Sequence, residues 1–101
     1  MFSYMDEKIK IFCNKWKITE FSLFGSYLTE NFNSKSDIDI LIDFKPNHNY
    51  GFFELSEMKN ELEVLYGREV DLITRDGIER SRNQFRKDSI LNNLKQIYAE
   101  G

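Results

Sequence analysis

The spacing of apolar residues divides the chain into distinct pieces. Met5, Ile9, Phe12 and Trp16 recur at intervals of four, three and four, which predicts an amphipathic helix over about residues 3–16. Ile18, Phe21 and Leu23 lead up to Gly25 and predict a short strand. Residues 25–36 read as a tight turn, one or two helical turns and a polar loop. Residues 37–44 alternate, except that Leu41 takes a place on the aspartate face. Ile38, Ile40, Ile42 and Phe44 fall on one face, and Asp37, Asp39, Leu41 and Asp43 on the other. That pattern predicts a central strand.

Pro46, Asn47 and Asn49 mark a loop. Leu55, Met58, Leu62 and Leu65 then predict a second helix, with Gly67 placed for its C-terminal cap. Val70 to Thr74 predicts another strand, Val70 and Leu72 lying opposite Asp71 and Ile73. A basic stretch follows, then a final helix capped by Asp88 with Ile90, Leu94 and Ile97 as its apolar stripe. Helices interleaved with short strands predict an α+β (α/β-like) fold, a small mixed sheet flanked by helices. A length of 101 residues predicts one domain, 1–101, with one modest core.

Composition narrows the class. Hydrophobic residues at 41% against 31% charged suit a globular chain, and a net charge of −3 argues against direct nucleic-acid binding or coating of an anionic membrane. No stretch approaches the ~18 apolar residues of a membrane span, and the N-terminus shows no signal-like apolar run. Cys13 is the single cysteine, so internal disulfides and multi-cysteine zinc sites are excluded; a reducing, cytoplasmic setting is expected. Beside the first helix's stripe, it reads as a packing residue. Nine Phe, five Tyr and one Trp exceed what so small a core needs. Some must reach the surface, as ordinary exposure or as a face for a partner or a second copy.

The candidate chemistry lies in carboxylates. Asp37 and Asp39, two apart on a strand, leave the same face with Cα atoms ~6–7 Å apart. Carboxylates held so close repel unless a cation sits between them, and hard oxygen ligands suit Mg²⁺ or Mn²⁺. Asp71 can complete the set if its strand is a neighbour. Taken alone, an Asp-x-Asp pair also reads as two solvated residues at a strand start. Gly25–Ser26 stands where a strand meets a helical start, where a bare backbone and free N–H groups suit phosphate; it also reads as a plain turn and cap. His48 has no ligand-spaced companion, and no hydrolase triad or zinc motif can be assembled.

Together these elements are more specific. Gly25–Ser26, ten residues (Tyr27 to Ser36), Asp37-Ile38-Asp39, a helix and then Glu69-Val70-Asp71-Leu72-Ile73 resemble the signature of the DNA polymerase beta-like nucleotidyltransferases. The short form of that family, the minimal nucleotidyltransferase (MNT) domain, matches nearly the whole chain. The resemblance implies that Gly25 and Ser26 hold a nucleoside triphosphate such as ATP. It implies that Asp37, Asp39 and Asp71 bind two Mg²⁺ ions, with Asp71 helping to activate the acceptor oxygen. It further implies a helical HEPN-domain toxin as partner. The expected function is that of an antitoxin moving AMP from ATP onto a tyrosine of that toxin. The chain departs from the family's Gly-Ser-x-Ala-Arg-Gly at Leu28, Thr29 and Glu30. That departure supports a second reading, a catalytically weak antitoxin that neutralises by contact. A third is transfer to a small molecule. The run Arg75 to Lys87, with Arg75, Arg80, Arg82, Arg86 and Lys87 against Asp76 and Glu79, is a candidate replacement for the missing cation, or else a solvated helix face.

Overall fold

The computed structural model describes residues 4–25, 37–45 and 49–100. The expectations placed on Ser26, on the segment with Leu28, Thr29 and Glu30, on the Met5 side chain and on His48 lie outside the described residues. The elements run α1 (Tyr4–Trp16), β1 (Ile18–Phe24), β2 (Ile38–Phe44), α2 (Phe52–Tyr66), β3 (Val70–Thr74), α3 (Arg75–Glu79), α4 (Gln84–Leu91) and β4 (Lys95–Ala99). The four strands form one mixed sheet in the order β3-β2-β1-β4. β1 is antiparallel to both of its neighbours, and β2 and β3 are parallel.

Strand alternation gives the sheet two different faces. On one, Ile38, Ile40 and Ile42 of β2 join Phe21 and Leu23 of β1 under Ile9 and Phe12 of α1 and Met58 and Leu62 of α2. Cys13 is fully buried here, as its packing role predicts. On the other, Phe24, Leu41, Ile78 and Ile90 form a smaller cluster that seats α3 and α4. Gly67 closes α2 in the left-handed conformation (φ 70°), and its N–H donates to the Glu63 carbonyl at 2.8 Å. Glu63 also accepts from the Val70 N–H at 3.0 Å, which joins the helix end to the start of β3. Phe52, Phe53 and Phe85 are exposed, so part of the aromatic excess does reach the surface.

The C-terminal segment differs from the sequence reading. The expected final helix stops at Leu91, and Lys95–Ala99 pairs with β1 as an edge strand. Ile90 and Leu94 pack with Phe24 and Leu41, whereas Ile97 packs on the opposite face. One helical stripe cannot serve two faces of a sheet. The open side of β1 also needs partners for its backbone groups, and β4 supplies them. Nor does Asp88 cap α4. The cap is Asn83, whose side chain accepts from the Arg86 N–H at 3.0 Å, and Asp88 instead accepts from Gln84 one turn earlier.

Candidate active site

β1 ends at Phe24, which pairs with Asp39, and Gly25 follows with φ 73°. Only glycine enters this region without steric cost. The position excludes a side chain for a second reason, because a Cβ there would fall on the Asp39 carboxylate. Asp39 in turn lies in register with Asp71 across the parallel β2–β3 pair. β1, β2 and β3 thus present Gly25, Asp39 and Asp71 side by side at one end of the sheet. Asp39 is half-buried and Asp71 exposed.

The same face is graded along the strands. The carboxylate end gives way to an apolar middle of Phe24, Leu41 and Ile73. At the far end, Arg75 donates from Nε and a terminal nitrogen to both carboxylate oxygens of Glu20, at 2.7 and 2.8 Å. This hydrogen-bonded guanidinium holds the Glu20 carboxyl below its ordinary pKa, and the pairing raises that of Arg75. Since Arg75 opens α3, the pair ties α3 to β1. Asp43 belongs to this end, accepting from the Phe44 N–H at 2.9 Å and remote from Asp39 and Asp71.

α4 closes the cleft. Ile90 anchors it on Phe24 and Leu41, helical periodicity then brings Arg86 and Ser89 to the cleft that the carboxylates line, and Asn93 joins them from the turn after α4. The cleft measures about 800 Å³, within the usual range for small-ligand sites. Gly25, Asp39 and Asp71 therefore come together as the sequence pattern expects. Asp37 stands exposed just before β2 and does not line the cleft. Among the described residues, no three His, Cys, Asp or Glu side chains are already gathered in metal-holding geometry. Sequence reasoning did not assign Ser89 and Asn93. Their signal is the spacing Arg86, Ser89, Ile90, Asn93, which the misplaced cap at Asp88 put out of phase.

A mixed sheet that sets aspartates of neighbouring parallel strands beside a glycine turn is the arrangement expected of a nucleotidyltransferase. Residues 5–97 match the family model described as the nucleotidyltransferase domain, and the chain belongs to that family. A Methanocaldococcus jannaschii protein named as a protein adenylyltransferase is 39% identical over 85 residues, 84% of this chain and 82% of the relative. Among solved structures, a toxin–antitoxin with AMP-PNP superposes with a TM-score of 0.71 at 21% identity, covering 94% of this chain and 73% of that one. A chain of the tri-AMPylated Shewanella oneidensis HEPN toxin in complex with MNT antitoxin superposes at 0.65 and 22% identity, covering 95% and 71%. These superpositions show the minimal nucleotidyltransferase fold. Among the described residues, no helix is long and apolar enough to cross a membrane.

Proposed function

We propose that this nucleotidyltransferase is a Mg²⁺-dependent protein adenylyltransferase that moves AMP from ATP onto a tyrosine of a helical HEPN-type toxin and so acts as its antitoxin. The observation that carries this reading is the in-register placement of Asp39 and Asp71 beside the bare backbone of Gly25. The related adenylyltransferases and the complexes of similar fold support the choice of nucleotide and partner.

The donor set fits the cation. The residues in question offer carboxylate oxygens and no thiolate or imidazole, which suits Mg²⁺ or Mn²⁺ rather than zinc. Asp39 and Asp71 would hold it; Asp37, which the resemblance adds to the set, stands outside the cleft lining and would have to turn inward to join them. Bound there, the metal would supply positive charge to the phosphoryl oxygens of the transition state. Gly25 receives the phosphate tail, and the resemblance adds Ser26 to that role. A tyrosine hydroxyl oxygen attacks the α-phosphorus in line, the bond to the pyrophosphate oxygen breaks, and Asp71 takes the hydroxyl proton. The products are the tyrosyl-AMP ester and pyrophosphate.

A second reading, neutralisation by contact with little catalysis, is favoured by Leu28-Thr29-Glu30, since an acid stands where the family signature is basic or neutral. One experiment separates the two. The protein is incubated with labelled ATP, Mg²⁺ and the helical protein encoded beside it. Label on a partner tyrosine, lost with Asp39→Asn, supports transfer. Neutralisation of the toxin by Asp39→Asn protein supports contact.

A further inference from the structure

The acceptor must approach from a definite side. Gly25, Asp39 and Asp71 follow one another across β1, β2 and β3, and β3 is an edge strand. If the phosphate tail leaves toward Gly25, in-line displacement brings the attacking oxygen in from the Asp71 side. At that edge the cleft adjoins a second pocket of about 380 Å³, walled by Leu55, Leu72, Ile73 and Ile78. Ser81 stands in its lining, and Arg86 lines both spaces.

Two properties of this pocket point to its occupant. From Asp71 to Ile73 the strand advances ~7 Å, about the length of a tyrosine side chain. A phenol with its hydroxyl at Asp71 therefore places its ring among the apolar walls, whereas a serine hydroxyl at the same point leaves them empty. The cations of the neighbouring segment are also unequal. Arg75 is engaged by Glu20 and Glu79, and Arg80 by Asp76. Arg82, Arg86 and Lys87 make no ion pair among the described residues, and of these three only Arg86 lines either space, standing at their junction.

We infer that the pocket at the β3 edge is the acceptor subsite, taking the aromatic ring of the tyrosine to be modified, and that Arg86 is a positioning residue at its mouth. A guanidinium there can lie against the ring face and hydrogen-bond the acceptor backbone. The inference rests on the adenylyltransferase reading above and adds the origin of its preference for tyrosine.

The test separates the two halves of the site. ATP binding to the protein alone is measured by calorimetry with Mg²⁺, and AMP transfer is followed against partner concentration. N-acetyl-tyrosinamide is titrated while the methyl NMR signals of Ile73 and Ile78 are observed. Ser81→Phe, which fills the pocket and lies outside the nucleotide cleft, is expected to raise KM for the partner about tenfold and leave ATP affinity within about twofold; Arg86→Gln is expected to raise KM for the partner by a similar factor, and Arg86→Lys to recover part of that loss. N-acetyl-tyrosinamide should shift both methyl signals in the wild type and neither in Ser81→Phe. Arg86 is exposed, so its variants should melt with the wild type. ATP affinity falling with Arg86→Gln at unchanged partner KM overturns the inference, as does a wild type whose methyl signals ignore the probe. A wild type that binds no ATP at all overturns the nucleotide reading itself, and this inference with it.

Discussion

The backbone of Gly25 and the carboxylate of Asp39 occupy adjoining space: a Cβ on residue 25 would fall on Oδ2 of Asp39 and come within 3.1 Å of its Cγ. The turn and the carboxylate are therefore one mechanical unit. Gly25→Ala should cost about 1–2 kcal/mol through the left-handed backbone alone, and should displace Asp39 as well. Denaturant unfolding reads the first effect. Calorimetry with ATP and Mg²⁺ should show a loss of affinity exceeding any fraction unfolded.

Asp39 and Asp71 face each other across paired strands, and like charges so placed oppose folding. Without metal, Asp71→Asn should stabilise the chain by about 0.2–1 kcal/mol while abolishing AMP transfer. Urea unfolding in chelator, beside the labelled-ATP assay, tests both. A stability gain together with intact transfer would remove Asp71 from the chemistry.

The Glu20–Arg75 pair gives the fold an acid-sensitive joint. Glu20 titrates below its ordinary value of 4.5 in the folded chain because Arg75 hydrogen-bonds its charged form. The folded state thus binds that proton less readily than the unfolded state. The pair's contribution is complete above the unfolded pKa and disappears as pH falls through the depressed folded value. Glu20→Gln should cost about 1–2 kcal/mol at pH 7 and progressively less in acid, which a series of chemical melts from pH 7 to 3 would follow.

Burial pushes the Cys13 thiol up to about 12, so almost no thiolate forms at neutral pH. A disulfide reagent at pH 8 should leave the native protein unmodified and titrate one thiol in denaturant. Rapid native labelling would mean that α1 separates from the sheet.

The sequence disclosed β2 most clearly, because its alternation of isoleucine and aspartate admits one assignment, and Gly67 marked the end of α2 as well. It did not disclose which strands are neighbours. The pairing of Asp39 with Asp71 depends on β2 and β3 lying parallel with α2 between them in the chain, which no local pattern encodes. The last strand was concealed for a different reason. Ile90, Leu94 and Ile97 are spaced as a helix would space them, yet they divide between two cores. Five residues at a sheet edge carry too little alternation to outweigh that stripe. The α4 wall of the cleft was lost with it, since its phase follows from Asn83 rather than Asp88.

The two-sided character of β2 also acts as quality control. A slip of one residue against β1 or β3 would turn Ile38, Ile40 and Ile42 into the cleft and drive Asp39 and Asp43 into the main core. A slip by one residue therefore cannot keep the isoleucines buried and the aspartates at the surface together, so that misregistered form is disfavoured by burial alone. Proofreading of which way the carboxylates face is thereby delegated to hydrophobic burial: a chain that has buried its isoleucines has already turned its aspartates to the cleft.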